Sequence, residues 1–303
     1  MRVTFLGTAA ARPTVTRNVS SLVVQREGEL LMFDCGEGTQ RQMMRYGTGF
    51  ALNDIFFTHL HGDHFLGVTG LLRTMGLQAR EEPLDLWTPR GTGSLLVRAV
   101  ELGVDRVPFE VRVRELEPGE RVQRGAYDVV AYKTLHQGRS LGYARVEHPR
   151  LGRFNPERAR SLGIPEGPLW GQLHRGEAVE VHGRLIRPQD LVGPPRPGRK
   201  LVYTGDTRPC AATREHARGA DLLIHEATFA NDEAERAHST GHSTAYDAAV
   251  LARDARVRQL VLTHFSPRYA EDARGLEREA RAVFPDTVIA SDGLTLELAY
   301  RDE

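Results

Sequence analysis

Four side chains able to bind a metal fall within six residues at His59-Leu60-His61-Gly62-Asp63-His64, directly after the apolar run Asp54–Phe57. In extended backbone, residues i and i+2 face the same way, so His59 and His61 can grip one metal. Gly62 permits a sharp turn, after which Asp63 and His64 can face a second. Imidazole and carboxylate without thiolate suit zinc, with manganese or iron as substitutes, in a hydrolytic site. An isolated histidine at a strand end is ordinarily a hydrogen-bonded structural residue. Four such groups together are costly to place unless a cation organises them. Further candidates follow later apolar runs: His136 after Val129–Leu135, Asp206 after Val202–Gly205 and His264 after Leu260–Thr263. We assign His59, His61 and His136 to one metal, Asp63, His64 and His264 to another, with Asp206 bridging. Such a set could share one hydroxide between two metals roughly 4 Å apart.

These ligands need strands to carry them. Val3–Leu6, Ser21–Gln25, Leu30–Phe33, Leu84–Thr88, Val111–Leu116, Tyr127–Thr134 and Gly142–Glu147 read as strands. Phe65–Leu77 and Thr92–Leu102 carry helical spacing of Leu, Val and Met. After residue 200, strands at Leu201–Thr204, Leu222–His225, Gln259–Thr263, Val288–Ala290 and Leu294–Ala299 alternate with helices at Ala211–Ala217, Thr244–Ala255 and Ala270–Val283. The pattern predicts an α/β layered body occupying 1–303. It is interrupted at about 148–195 by a segment whose prolines break any long element.

The 303 residues hold 40 basic and 40 acidic side chains, which excludes attraction to nucleic acid through net charge alone. The charge is uneven: Arg139–Lys200 holds 12 Lys+Arg against 6 Asp+Glu, an excess of +6, so the rest of the chain carries −6. That excess is either a solvated surface excursion of an arginine-rich chain or a field suited to a phosphate backbone. Two cysteines, Cys35 and Cys210, form no disulfide framework, and no run is long and apolar enough to span a bilayer. The expected compartment is the cytoplasm, with no membrane association.

His59-x-His61-x-Asp63-His64, with later His136, Gly205-Asp206-Thr207 and His264, resembles the metallo-β-lactamase superfamily. Within it the chain resembles the ribonuclease Z family through Phe33-Asp34-Cys35-Gly36-Glu37-Gly38-Thr39-Gln40, His225-Glu226-Ala227-Thr228 and His242-Ser243-Thr244. The resemblance runs from about residue 1 to 299. It implies a four-layer αββα sandwich with an inserted flexible arm, two zinc ions per subunit and a homodimer. The implied activity is endonucleolytic removal of the 3′ trailer from precursor tRNA by a metal-bridging hydroxide, leaving a 3′-hydroxyl on the tRNA and a 5′-phosphate on the trailer.

The resemblance also bears on single residues. Asp34 reads either as an acceptor holding a ligand histidine in one tautomer or as a turn aspartate. Glu226 can orient His242 and raise its pKa, making it the proton donor to the leaving 3′ oxygen, although Gly241-His242-Ser243-Thr244 is also a plausible helix cap. Asp63 takes a double role, as ligand and as the group that orients or deprotonates the attacking water. His225 and His238 are read as structural. Gly163-Ile164-Pro165-Glu166-Gly167-Pro168 resembles the Gly-Pro motif of the family's tRNA-gripping arm, which makes Gly167 and Pro168 candidate substrate contacts; arm contacts are expected among Arg145 to Arg187. Arg17 and Asn18 lie in a loop resembling the family's Pro-x-Lys-x-Arg-Asn element near the tRNA 3′ end, with Val15 in place of the lysine. Two other readings stand beside this one. A metallo-hydrolase of a small ester or cyclic phosphodiester would need no basic arm. An RNA-binding module with a dead metal site would not be expected to keep seven ligand positions.

Overall fold

The computed structural model describes residues 1–301; the last two residues of the expected 1–303 unit lie outside the described residues. Six strands open the chain: β1 Arg2–Gly7, β2 Ser21–Arg26, β3 Glu29–Phe33, β4 Asp54–Phe56, β5 Leu84–Pro89 and β6 Val111–Leu116. β7 Arg121–Gln123, β8 Tyr127–Lys133 and β9 Leu141–Glu147 follow in a second sheet. β10 Val179–Val181 and β11 Arg184–Ile186 pair as a separate ribbon. β12 Lys200–Tyr203, β13 Leu222–Glu226, β14 Leu260–Thr263 and β15 Thr287–Ile289 complete the second sheet, and β16 Thr295–Glu297 returns to the first.

The two seven-stranded sheets run in the orders β16-β1-β2-β3-β4-β5-β6 and β15-β14-β13-β12-β9-β8-β7. Their facing surfaces share one core, in which Phe5, Phe33 and Phe56 meet Val129, Tyr143, Leu201 and Ile224. Helices Thr39–Tyr46, Gly67–Leu77 and Gly93–Val100 cover the outside of the first sheet through Met43, Leu71, Leu72 and Leu96. Helices Ala211–Ala217, Ala245–Asp254 and Arg274–Val283 cover the second through Ala217, Ala248, Ala249 and Leu276. Because both faces of β13 and β14 are covered, these strands are buried throughout rather than alternating. The four layers form the αββα sandwich that the resemblance implied.

Parallel order matters more to function than layer count. β3 to β6 run parallel to one another, as do β12 to β15. Their carboxyl ends therefore share one rim, where loops are free to carry chemistry. β8 ends at the same rim and β9 starts there, since Lys133 pairs with Leu141 and Tyr143 with Tyr203.

The 148–195 interval departs from its proline-broken expectation. It holds helices Pro156–Ser161 and Pro168–His174 besides the β10–β11 ribbon. Pro156 and Pro168 each occupy the first helical position, where a missing N–H costs nothing. Ala159, Ile164, Leu173, Val179, Ile186 and Leu191 bury one another in a small core of their own. The helix expected over Phe65–Leu77 is also split, into Gly62–Phe65 and Gly67–Leu77. A Cβ on Gly67 would lie 1.9 Å from the Gly36 carbonyl oxygen, so that close backbone approach requires glycine. The last long helix starts at Arg274 rather than Ala270, behind a 3-10 turn at Pro267–Tyr269. Helix Thr39–Tyr46 has no counterpart in the apolar pattern, since its apolar residues are few and Met44 is exposed between Arg41 and Arg45.

Candidate metal centre and the Glu226–His242 pair beside it

The seven residues proposed from sequence as ligands converge on the shared rim. His59, His61, His136 and Asp206 form one group and Asp63, His64 and His264 another, with donor atoms of each group within 4.8 Å of one another. Asp206 lies between them. Its Oδ2 is 3.8 Å from both His59 Nε2 and His136 Nε2, while Oδ1 is 3.3 Å from His64 Nε2 and 3.2 Å from His264 Nε2.

Outer hydrogen bonds set which nitrogen of each ring points inward. His64 Nδ1 donates to Asp34 Oδ2 at 2.8 Å. His136 Nδ1 donates to the Gly241 carbonyl at 2.9 Å, and His264 Nδ1 meets Thr228 Oγ1 at 2.9 Å. With the outer nitrogen protonated, the inner one carries a lone pair. Those inner atoms crowd together: His59 Nε2 is 3.0 Å from His61 Nδ1, His61 Nδ1 is 3.2 Å from His136 Nε2, and His64 Nε2 is 3.3 Å from His264 Nε2. Asp206 Oδ1 is buried with no hydrogen-bond partner. Converging lone pairs and an orphaned carboxylate oxygen are repulsive without a cation, so the donor set fits a metal cofactor. Burial, with the neighbouring His64 imidazole next, pushes His59 well below its ordinary pKa and favours the neutral imidazole that ligation needs. Asp206 is held well below the carboxylate range against its burial, chiefly by His264 and His64.

Asp34 does more than cap a turn. Fully buried, it accepts from the Thr58 amide at 2.7 Å, the Thr58 hydroxyl, His64 Nδ1 and the Tyr203 hydroxyl at 2.8 Å. It ties the ends of β3, β4 and β12 to one ligand. Asp34 and His264 both adopt left-handed backbone, with φ of 55° and 58°. Non-glycine residues hold that conformation only where their surroundings over-determine it.

Glu226, at the end of β13, is fully buried and accepts from His242 Nδ1 at 2.9 Å, the Thr207 amide at 2.7 Å, the Ser243 amide at 3.1 Å and the Thr228 hydroxyl at 2.6 Å. Burial alone would push His242 down, but the charge and hydrogen bond of Glu226, with help from Asp206, lift it to about 9. The helix cap is provided by Thr244, whose hydroxyl accepts from the Asp247 amide, so His242 is left free of that duty. Thr228 links Glu226 to His264 and was missed from sequence; its place in His225-Glu226-Ala227-Thr228 was the available signal. A cavity of about 250 Å³ opens over these residues, lined by Ala11, Asp63, Phe229, Arg236, His242 and Arg268 among others.

Five residues read from sequence as substrate contacts fall elsewhere. Arg17 points inward, donating to Thr8 Oγ1, the Ala290 carbonyl and the Ala270 carbonyl, with Phe265 beneath it. It braces its loop. Asn18 is held by its backbone, its amide on Asp292 and its carbonyl taking the Thr8 and Ala9 amides, while its side-chain Nδ2 is buried and unpaired. Gly167 and Pro168 are exposed at the start of a helix in the insertion, away from the metal rim. Arg145, expected among the arm contacts, is 1% exposed; it lies over Tyr127 and pairs with Glu147. The side chain is part of the body, and its charge is unavailable to RNA.

Fold and site together define a hydrolase of the metallo-β-lactamase fold with a metal cofactor. The family model for the beta-lactamase superfamily domain matches residues 190–265, and that for the anti-Pycsar protein Apyc1 matches residues 1–137. The chain is 60% identical to ribonuclease Z of Gemmatimonas aurantiaca over 99% of its own length and 97% of that protein's. It is 53% identical to ribonuclease Z of Myxococcus xanthus over 100% and 99%. The crystal structure of the short form of human tRNase Z superposes with a TM-score of 0.72 at 29% identity, covering 99% of this chain and 100% of that one. The chain belongs to the ribonuclease Z family and is an endoribonuclease.

Proposed function

We propose that the chain is a zinc-dependent endoribonuclease that cuts precursor tRNA at its 3′ trailer, leaving a 3′-hydroxyl on the tRNA and a 5′-phosphate on the trailer. The observation that carries this reading is the Glu226–His242 pair, set 3.9 Å from Asp206 at the edge of the two ligand groups. His59, His61 and His136 would hold one zinc, Asp63, His64 and His264 the other, and Asp206 both. When bound, such a pair supplies Lewis acidity that makes water nucleophilic at neutral pH and neutralises phosphate charge.

The residues of the chain supply the rest. Asp63 Oδ2, oriented by the Ala11 amide at 2.7 Å, takes the proton of the attacking water. Oxygen of that water bonds to phosphorus, the bond from phosphorus to the ribose 3′ oxygen breaks, and His242 gives its proton to that departing oxygen. Glu226 keeps His242 charged beforehand and holds the ring in place.

The insertion at 148–195 serves as the arm that grips the tRNA body through Gly167, Pro168 and exposed arginines, reading shape and backbone. It is rooted at Glu147, the end of β9, and Arg199, the residue before β12, at the end of these strands remote from the metal rim. With seven residues in β9, that separation is about 20 Å at roughly 3.3 Å per residue. An arm leaving the far edge favours a homodimer in which one subunit's arm presents RNA to its partner's site. No helix among the described residues is long and apolar enough to cross a membrane, and the cytoplasm is the compartment this reading expects.

Incubation of the purified protein with a precursor tRNA carrying a 3′ trailer, with the cut mapped and bound metal quantified, tests the reading. Cleavage after the discriminator nucleotide with about two zinc ions per subunit is expected. An intact precursor alongside turnover of a small phosphodiester would refute it.

A further inference from the structure

We infer that the rim carries a second subsite, for the single-stranded RNA downstream of the cut, in the concavity between the Pro89–Gly91 and Gly138–Leu141 turns. This inference rests on the precursor-tRNA reading above. The concavity measures about 430 Å³, within the range of pockets that enclose small ligands. Pro89, Leu116 and Leu141 form an apolar floor on which a base can lie, and Arg90, Lys133 and Arg139 supply cations at its edge.

Two of those cations are available to a phosphate. Arg90 is paired with Glu117 at 2.8 Å. Lys133 is exposed and has no acidic partner among the described residues. Arg139 is exposed and anchored by a hydrogen bond to the Arg90 carbonyl. Its guanidinium lies so close over Gly91 that a Cβ there would fall 1.3 Å from Nη1, so the glycine is what seats the arginine. Glu115, beneath the same turn, directs its carboxylate to the Gly93 amide. One of the two available cations, Arg139, is therefore held against the turn.

Position relative to the chemistry assigns the occupant. His242 protonates the leaving 3′ oxygen, so the tRNA half of the substrate lies toward His242. The trailer hangs from the same phosphorus by its 5′ oxygen and needs another way out. The turn after His136 divides the two sides. His136 Nδ1 and Gln137 Nε2 bond to Gly241 and Thr240 on the His242 side, while Gly138, Arg139 and Ser140 line the concavity. The amide of Leu141 bonds to the Thr58 carbonyl, one residue before His59, so the concavity adjoins the root of the metal motif. Arg139 is the third residue after His136, at most about 11 Å of chain, which corresponds to a phosphate about one or two nucleotides downstream.

The test compares wild type with a Lys133→Ala/Arg139→Ala double variant on precursor tRNAs carrying trailers of one nucleotide or about eight. On the long trailer the variant should raise KM about five- to tenfold, with kcat little changed, and lower the salt dependence of log KM by up to about 1.4, some 0.7 per lost single-strand contact. The one-nucleotide trailer should be unaffected. Equal losses on both trailers, or none on either, would overturn the subsite. Turnover of a small phosphodiester reports whether the variant is folded. If it is not, Lys133→Glu alone, at an exposed and unpaired side chain, should reproduce the long-trailer effect, and its indifference would count as refutation. Wild type that fails to cut either precursor would overturn the parent reading itself, an outcome separate from indifferent variants of an active enzyme.

Discussion

The metal rim and the inserted arm use their polar residues in opposite ways. At the rim the candidate ligand histidines are held from behind: His64 by Asp34, His136 by Gly241, His264 by Thr228. Those partners sit at the strand ends and loops of the two-sheet body. The arm instead relies on a few apolar residues around Leu173 and on exposed charges such as the Arg160–Glu166 pair. Exposed pairs of that kind contribute roughly 0–1 kcal/mol each. Its charge is also smaller than the interval suggested. Residues 148–195 hold seven arginines and five acidic residues, a net +2; residues 139–147 add +1, and Arg196, Arg199 and Lys200 add +3. At the root, Arg145 and Arg199 are buried on Glu147. Two of the interval's twelve basic residues thus fasten the arm's root instead of facing solvent.

The rim predicts loss of chemistry without loss of grip, and the arm the reverse. The largest effect is expected for His64→Ala, which should lower kcat for trailer cleavage by about 10³-fold or more while the Kd for precursor tRNA, from filter binding, changes less than about threefold. A comparable loss of affinity would erase the distinction between the two regions. Next, His242→Ala should reduce kcat by about 10²- to 10⁴-fold with metal content unchanged. Loss of bound metal in that variant would make His242 a ligand rather than a proton donor.

Replacing Arg150–Gln189 by a short glycine–serine link should raise KM for precursor tRNA by about 10- to 100-fold and spare a small phosphodiester. Parallel loss of both activities would remove the arm from substrate binding. The smallest effect concerns the root. Burial works against the Glu147 carboxylate, yet Arg199 holds it at about 2, below its ordinary 4.5. A depressed pKa gives stability that is complete above 4.5 and lost as pH falls toward 2. The Tm deficit of Glu147→Gln, measured by calorimetry, should therefore shrink across that window. A deficit constant with pH would assign Glu147 no more than a packing role.

The residues differ in how far their roles could be read in advance. His59, His61, Asp63 and His64 announce themselves because four ligands in six residues seldom occur together unless a cation binds them. His136, Asp206 and His264 were accessible because each follows an apolar strand, and strands of one sheet end together. Thr58 and Tyr203 were not: a hydroxyl has no spacing rule, and its value lies in which carboxylate it reaches. Arg145 misled for a related reason, and Arg17, picked out by the resemblance of its loop, turned out to be folded inward as well. Counting charge along a chain weighs every guanidinium alike, whereas that of Arg145 is buried on Glu147. The arm's two helices were hidden because prolines that break a helix interior can also begin one.

By itself the sequence determined the kind of chemistry and the layered fold, since ligand identity and the periodicity of apolar residues are local properties. Tertiary structure decided which charges meet solvent, which nitrogen of each histidine turns inward and at which end of the sheet the arm is rooted. Each of these depends on partners brought together from distant positions, Asp34 with Tyr203 or Glu147 with Arg199, and burial then sets the energy of every charge involved.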